Sequence, residues 1–151
     1  MAVLEDLYRE TILRHYQSPS HRGRVADADT EAFTMNPLCG DEMRISARID
    51  DDSITDVAFE ARGCSISQAS ADMMVDAVKG QTLASASEIA ASFKSMMSAP
   101  DGEAAESLGD LAAFQHVKKY PVRVKCALLP WSTFLEALST YESRRATIST
   151  G

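Results

Sequence analysis

The sequence has no basic excess, no long apolar run, no Cys-x-x-Cys pair and no internal repeat. Lysine and arginine number 15 against 22 aspartates and glutamates, a net charge of −7 over 151 residues. Affinity for phosphates is built on basic surface, so nucleic-acid binding is not expected. No stretch approaches the roughly 18 apolar residues of a membrane span. The opening "MAVLEDLYRE" sets acids inside its apolar pattern, unlike a signal peptide or an Arg-rich transit peptide. A cytoplasmic protein that uses no membrane is expected. Cysteine is scarce and odd in number: Cys39, Cys64 and Cys126. In a reducing compartment these are expected to be thiols, metal ligands or catalytic groups rather than staples. Without a Cys-x-x-Cys pair, ordinary zinc-finger spacing is absent.

What is present is an ordinary globular composition, 45% hydrophobic and 25% charged, in a chain long enough to bury a core without disulfides. A single domain over 1–151 is expected. Leu4, Leu7, Tyr8, Thr11 and Ile12 fall near helical spacing and predict a helix over 3–16. The turn-rich "QSPSHRGR" should end it. A short strand is expected at 31–35. In "MRISARI", Met43, Ile45, Ala47 and Ile49 alternate with Arg44, Ser46 and Arg48, the pattern of a half-buried strand. "DDDS" makes a turn into "ITDVAFEAR", whose Val57, Phe59 and Ala61 share one face of an antiparallel partner strand.

A helix is then predicted over 66–79, capped by Ser65 or Ser67 and closed before Gly80. Another runs from the "SASE" capping-box spacing, Ser85 to Glu88, to about Met97. A loose insertion is expected around 97–116, with a short helix near 110–117 capped by Asp110. The last apolar run, which tolerates or kinks at Pro130, is helical, with a frayed tail at 144–151. Met73, Met74, Met96, Met97 and Trp131 are assigned to the core. His15, His21 and His116 have no supporting constellation in the sequence. The fold class is α+β: a small three-stranded antiparallel sheet with helices packed on one face.

All three cysteines fall at the ends of these elements. Cys39 lies in the turn "NPLCGD", Cys64 between a strand and a helix, and Cys126 near the start of the last helix. In a meander, the loop entering one strand and the loop leaving its antiparallel partner lie at the same end of the sheet, so Cys39 and Cys64 can meet there. Cys64 stands where a helix N-terminus favours thiolate, and Lys125 and Arg123 are cations near Cys126 that would lower its thiol pKa. Asp41 follows Cys39 by two residues on the same turn. Three thiolates and one carboxylate suit tetrahedral Zn²⁺. The carboxylate is the harder and less well matched donor, and so the ligand to let go.

The stretches "NPLCGD", "ARGCSIS" and "YPVRVKCALLPW" resemble the three cysteine motifs of the IscU/NifU N-terminal superfamily of iron–sulfur cluster assembly proteins. Lys125 stands where IscU-type members place a histidine before the third cysteine. With "MSAPDGEAAESLGDLAAFQH" at the place of a characteristic insertion, the chain resembles the SufU-type branch, over roughly 5–143. One departure is His116, where the family has a small residue, often glycine. The resemblance implies an IscU/NifU-like fold with zinc on Cys39, Asp41, Cys64 and Cys126. It implies that Cys39 accepts persulfide sulfur from a SufS-type, pyridoxal-phosphate-dependent cysteine desulfurase, a histidine of which would take its place on the metal. Arg123 would dock that partner or support the freed thiolate, and a downstream Suf scaffold would be a further partner. The alternatives are a scaffold on which a [2Fe-2S] or [4Fe-4S] cluster is built from the same ligands, and a structural zinc protein without sulfur chemistry.

Overall fold

A computed structural model describes residues 2–17, 21–36, 40–98 and 106–150, and the side chains of 9–17, 21–36, 40–98 and 108–145. Helix α1 spans Ala2–Gln17, strand β1 Thr30–Asn36, β2 Asp41–Asp50 and β3 Ser53–Arg62. Helices α2 (Ser65–Val78) and α3 (Leu83–Ser98) follow, then a 3₁₀ segment, Glu106–Lys119, and the long helix α4, Pro121–Thr150. Helix α1 is the helix expected over 3–16, while the side chains of Leu4, Leu7 and Tyr8, the turn residues Pro37 and Cys39, and the stretch 99–105 of the expected insertion lie outside the described residues.

The three strands form one antiparallel meander in the order β1-β2-β3. Strand β2 is central and buries Met43, Ile45, Ala47 and Ile49, the face its alternation marks. The β2–β3 turn places Asp51 and Asp52 at positive φ, 49° and 62°, between the paired Asp50 and Ser53. A two-residue hairpin of that kind needs left-handed residues at both centres, and aspartate tolerates that region better than most. Ser46, on the outer face, is buried nonetheless: the chain pairs along the β3 edge at His21 and Gly23 and then passes over that face, where Ser46 Oγ accepts the N–H of Val25 at 2.9 Å.

Helix α2 packs on β3, and α4 packs on β1 and β2. Between helices and sheet lies one hydrophobic core, in which Trp131 stacks on Phe93 at 4.7 Å and Phe93 meets Phe114 edge-on at 5.7 Å. Met73, Met74, Met96 and Met97 are buried in it, as their helical spacing predicts.

Three local expectations need correction. Helix α2 is capped by Cys64, whose Sγ accepts the N–H of Ile66 at 3.3 Å, and not by Ser65 or Ser67. Helix α3 begins earlier than Ser85, because Thr82 caps it: Thr82 Oγ1 accepts the Ser85 N–H at 3.1 Å. Backbone bonds from Ile54 to Gln81 and from Leu83 to Asp52 fix that start against the sheet. The described end of the expected insertion is not loose. Leu108, Leu111, Ala113, Phe114 and Val117 are buried in the core, with a break at Gly109 (φ 52°). The break at Gly109 divides the segment, so the helix expected near 110–117 is present after it, as 3₁₀.

Candidate metal centre

The hairpin register decides where Asp41 goes. Asn36 pairs with Asp41 and Glu42 with Arg62, so Asp41 opens β2 beside the end of β3 and the start of α2. It does not sit on the exposed turn that "NPLCGD" suggests, and it is only 1% exposed. Its Oδ1 accepts the backbone N–H of Cys64 at 2.8 Å. That bond satisfies one of the donors a helix start leaves open. Gly63 makes the approach possible. Its φ is +115°, and a Cβ there would collide with Asp41 Oδ1 and lie 2.9 Å from Asp41 Cγ. This contact of Gly63 with Asp41 depends on a pairing 22 residues away, which no local signal carries.

Helix α4 brings in Cys126, 2% exposed, in its second turn. A buried relay holds that turn against α2. Ser70 Oγ donates to the Ala127 carbonyl at 2.7 Å and accepts the Trp131 Nε1–H at 3.2 Å. Donor atoms of Asp41, Cys64 and Cys126 then all lie within 4.8 Å of one another. Three of the four ligands expected from sequence are thus brought together; the fourth, Cys39, lies outside the described residues.

The electrostatics of this cluster differ from the sequence reading at Cys126. Its thiol is pushed well above the ordinary value, first by burial and then by the Asp41 carboxylate and Cys64 beside it. Lys125 and Arg123 do not lower it, because both are exposed while the sulfur is buried among acceptors. Asp41 Oδ2 is buried and makes no hydrogen bond with normal geometry among the described residues. A buried carboxylate oxygen without a partner is costly. A carboxylate grouped with two thiol sulfurs is a donor set for a cation. Two sulfurs and one oxygen also match the donor chemistry of zinc, so the residues fit that group.

Beside Cys64 runs a groove of about 360 Å³ between α1, the 3₁₀ segment and the start of α4. Ile12, Leu13, Tyr16, Ile66 and Val117 give it an apolar floor, and Arg9, His116, Lys119 and Arg123 rim it. Arg123 lies over the Tyr120 ring, 4.9 Å from its centroid, so its guanidinium is held at the mouth by a cation–π contact. Leu13, Tyr16, Tyr120 and Val122 are exposed. His116, which sequence reasoning left without a role, is one of the lining residues.

The NifU-like N-terminal domain family matches residues 7–127. Over 141 residues the chain is 38% identical to the "Zinc-dependent sulfurtransferase SufU" of Bacillus subtilis, covering 93% of this chain and 95% of that protein. It is 34% identical over 138 residues to the "Iron-sulfur cluster assembly scaffold protein IscU" of Streptococcus pyogenes, covering 91% and 86%. A crystal structure from Fervidobacterium islandicum, described as a putative iron-sulfur cluster assembly scaffold protein for the SUF system, superposes with a TM-score of 0.80 at 38% identity, covering 85% of this chain and 94% of that one.

Proposed function

The chain belongs to the NifU-like N-terminal domain family, and from that premise we propose that it is a zinc-dependent sulfur acceptor for a cysteine desulfurase of the SufS type, serving iron–sulfur cluster assembly. The observation that carries this reading is the buried Asp41 carboxylate grouped with Cys64 and Cys126, whose Oδ2 has no hydrogen-bond partner among the described residues. The similarity to a zinc-dependent sulfurtransferase over 93% of the chain supports the metal and the activity together. Cys39, Asp41, Cys64 and Cys126 would hold zinc, which when bound keeps cysteine sulfur deprotonated at neutral pH.

The roles of the chain's own residues then divide. Asp41 is anchored by β2 and by the Cys64 N–H, so its carboxylate stays in place. This departs from its expected part as the ligand that lets go. Cys64 is fixed at the α2 N-cap and Cys126 within α4. Cys39, two positions before Asp41 in sequence, is the ligand assigned to leave and react. Its thiolate attacks the outer sulfur of the desulfurase persulfide. A new S–S bond forms, the enzyme's own S–S bond breaks, the desulfurase cysteine departs as thiolate, and Cys39 carries the persulfide. The apolar, cation-rimmed groove beside Cys64 is the surface for the desulfurase, with Arg123 at its mouth.

A SufS-type desulfurase should turn over cysteine faster in the presence of the wild-type protein, and Cys39→Ser should abolish that stimulation while Asp41, Cys64 and Cys126 are intact. No stimulation by zinc-loaded wild type would refute the proposal. The scaffold reading is favoured by the names of the Streptococcus and Fervidobacterium proteins. Anaerobic reconstitution decides it: a stable, transferable cluster establishes a scaffold, and its failure removes that reading.

A further inference from the structure

A second group of metal-binding side chains lies farther along α2, away from the cysteines. Asp72 and Asp76 are four residues apart and so share one face of the helix. His15 Nδ1, from α1, is 2.6 Å from Asp72 Oδ2. His21 Nε2, from the segment that follows α1, is 2.5 Å from Asp76 Oδ1. The donor atoms of His15, Asp72 and Asp76 all lie within 4.8 Å of one another. The other oxygen of Asp72 accepts the backbone N–H of His21 at 3.0 Å, so the carboxylate is held by a second contact that fixes its direction.

We propose that His15, Asp72 and Asp76, joined by His21 from its contact with Asp76, form a second divalent-cation site, of nitrogen–oxygen type, for a borderline ion of the zinc, cobalt or nickel class. Two imidazoles and two carboxylates from three segments match the donor preference of such ions. Bonds of about 2.0–2.1 Å place neighbouring donors of a tetrahedron about 3.3 Å apart, so the two hydrogen-bonded pairs open by less than an ångström, while His21 Nε2, outside the 4.8 Å group, swings inward to complete the set. The His15 proton would move to the other ring nitrogen, leaving Nδ1 its lone pair.

Burial and access both suit this role. The Asp72 side chain is 1% exposed, whereas that of Asp76 is 53% exposed, so the site is anchored inside and open outside. A cavity of about 220 Å³, lined by His15, Asp76 and Asp110 among others, adjoins it. From Cys64 to Asp72 and Asp76 the helix rises about 12–18 Å, so the two centres are separate ions on one helix. Filling the second would clamp α1 and residues 21–25 onto α2. This site does not depend on the sulfur chemistry proposed for the first.

The test uses the full chain, stripped of metal, loaded with one equivalent of Zn²⁺ and then titrated with Co²⁺. One further equivalent should bind, showing weak visible ligand-field bands without the intense near-ultraviolet absorption of cobalt–thiolate bonds. Asp76→Asn and His21→Asn, at surface-accessible positions, should each weaken that equivalent at least about tenfold. The first, sulfur-ligated equivalent should be unchanged in both variants. If wild type takes up no second equivalent, or if both variants bind it as wild type does, the site is refuted. Loss of thermal stability in the variants without any change in metal stoichiometry would likewise refute it, leaving the histidines as hydrogen-bonding pins.

Discussion

Asp41 Oδ1 accepts the backbone N–H of Cys64 at 2.8 Å. The bond ties the first residue of β2 to the N-cap of α2 in a carboxylate that lies beside two cysteines and whose other oxygen is buried, without a hydrogen bond among the described residues. Replacing Asp41 by Asn keeps the acceptor for Cys64 but removes the charge. Asp41→Asn should fold, keep its helix content and bind zinc at least about tenfold more weakly in a chelator competition. Asp41→Ala should lose the cap bond as well and unfold at lower urea, by about 1–2 kcal/mol.

Gly63→Ala tests the close approach that seats this carboxylate. The added Cβ meets Asp41 at a backbone angle that alanine resists, φ +115°. The substitution should cost about 1–3 kcal/mol in urea unfolding and displace Asp41, so that zinc affinity falls with stability. Gly80→Ala, also at positive φ but with open space around it, should cost stability and leave zinc affinity as in wild type.

The raised pKa of Cys126 gives the metal-free protein a pH dependence with a definite sign. In the folded chain the thiol keeps its proton, for burial and the neighbouring Asp41 and Cys64 oppose its ionisation. In the unfolded chain it ionises above about pH 8.5. The unfolded state therefore holds fewer protons above that pH, and stability falls as pH rises toward the folded-state value, at up to about 1.4 kcal/mol per unit. Urea unfolding of the metal-free protein between about pH 7.5 and 10 should show the decline. Cys126→Ala should flatten it.

Ser70→Ala removes the hydroxyl between the Trp131 Nε1–H and the Ala127 carbonyl. A buried indole N–H is then left without that acceptor, at a cost of about 1–3 kcal/mol in thermal or urea unfolding. The variant should still bind zinc, since no ligand is touched.

Arg123 sits over Tyr120 at the mouth of the groove beside Cys64. Arg123→Glu should leave zinc content unchanged. It should reduce stimulation of the desulfurase by about tenfold or more at sub-saturating protein, through slower encounter, and the deficit should shrink at saturation.

The strands and most helices are legible in the sequence because their signals are local. The alternation from Met43 to Ile49 gives β2, and the hydrophobic spacing through Met73 and Met74 gives α2. The meeting of Asp41 and Cys64 is legible in outline, since both lie at strand ends that a meander brings to one end of the sheet, whereas Cys126 joins them only through the packing of α4. The rest depends on contacts distant in sequence. Cys64 caps α2 because Asp41 holds its N–H, and α3 starts at Leu83 because Gln81 and Leu83 bond to the β2–β3 hairpin region. The buried environment that reverses the expected effect of Lys125 on Cys126 arises only when α4 meets α2 and β2. His15 and His21 find Asp72 and Asp76 across 57 and 55 residues, and no spacing rule anticipates such pairs.

The most direct test of the account is the intact mass of the zinc-loaded protein after incubation with a SufS-type desulfurase and cysteine, with zinc measured in the same sample. The wild type should gain the mass of one sulfur atom, removable by thiol reductant, and peptide mapping should place it on Cys39. Cys39→Ser should gain none. Sulfur that appears on Cys64 or Cys126, or that appears equally in Cys39→Ser, would contradict the assignment of Cys39 as the acceptor and of Asp41, Cys64 and Cys126 as the residues that stay on the metal.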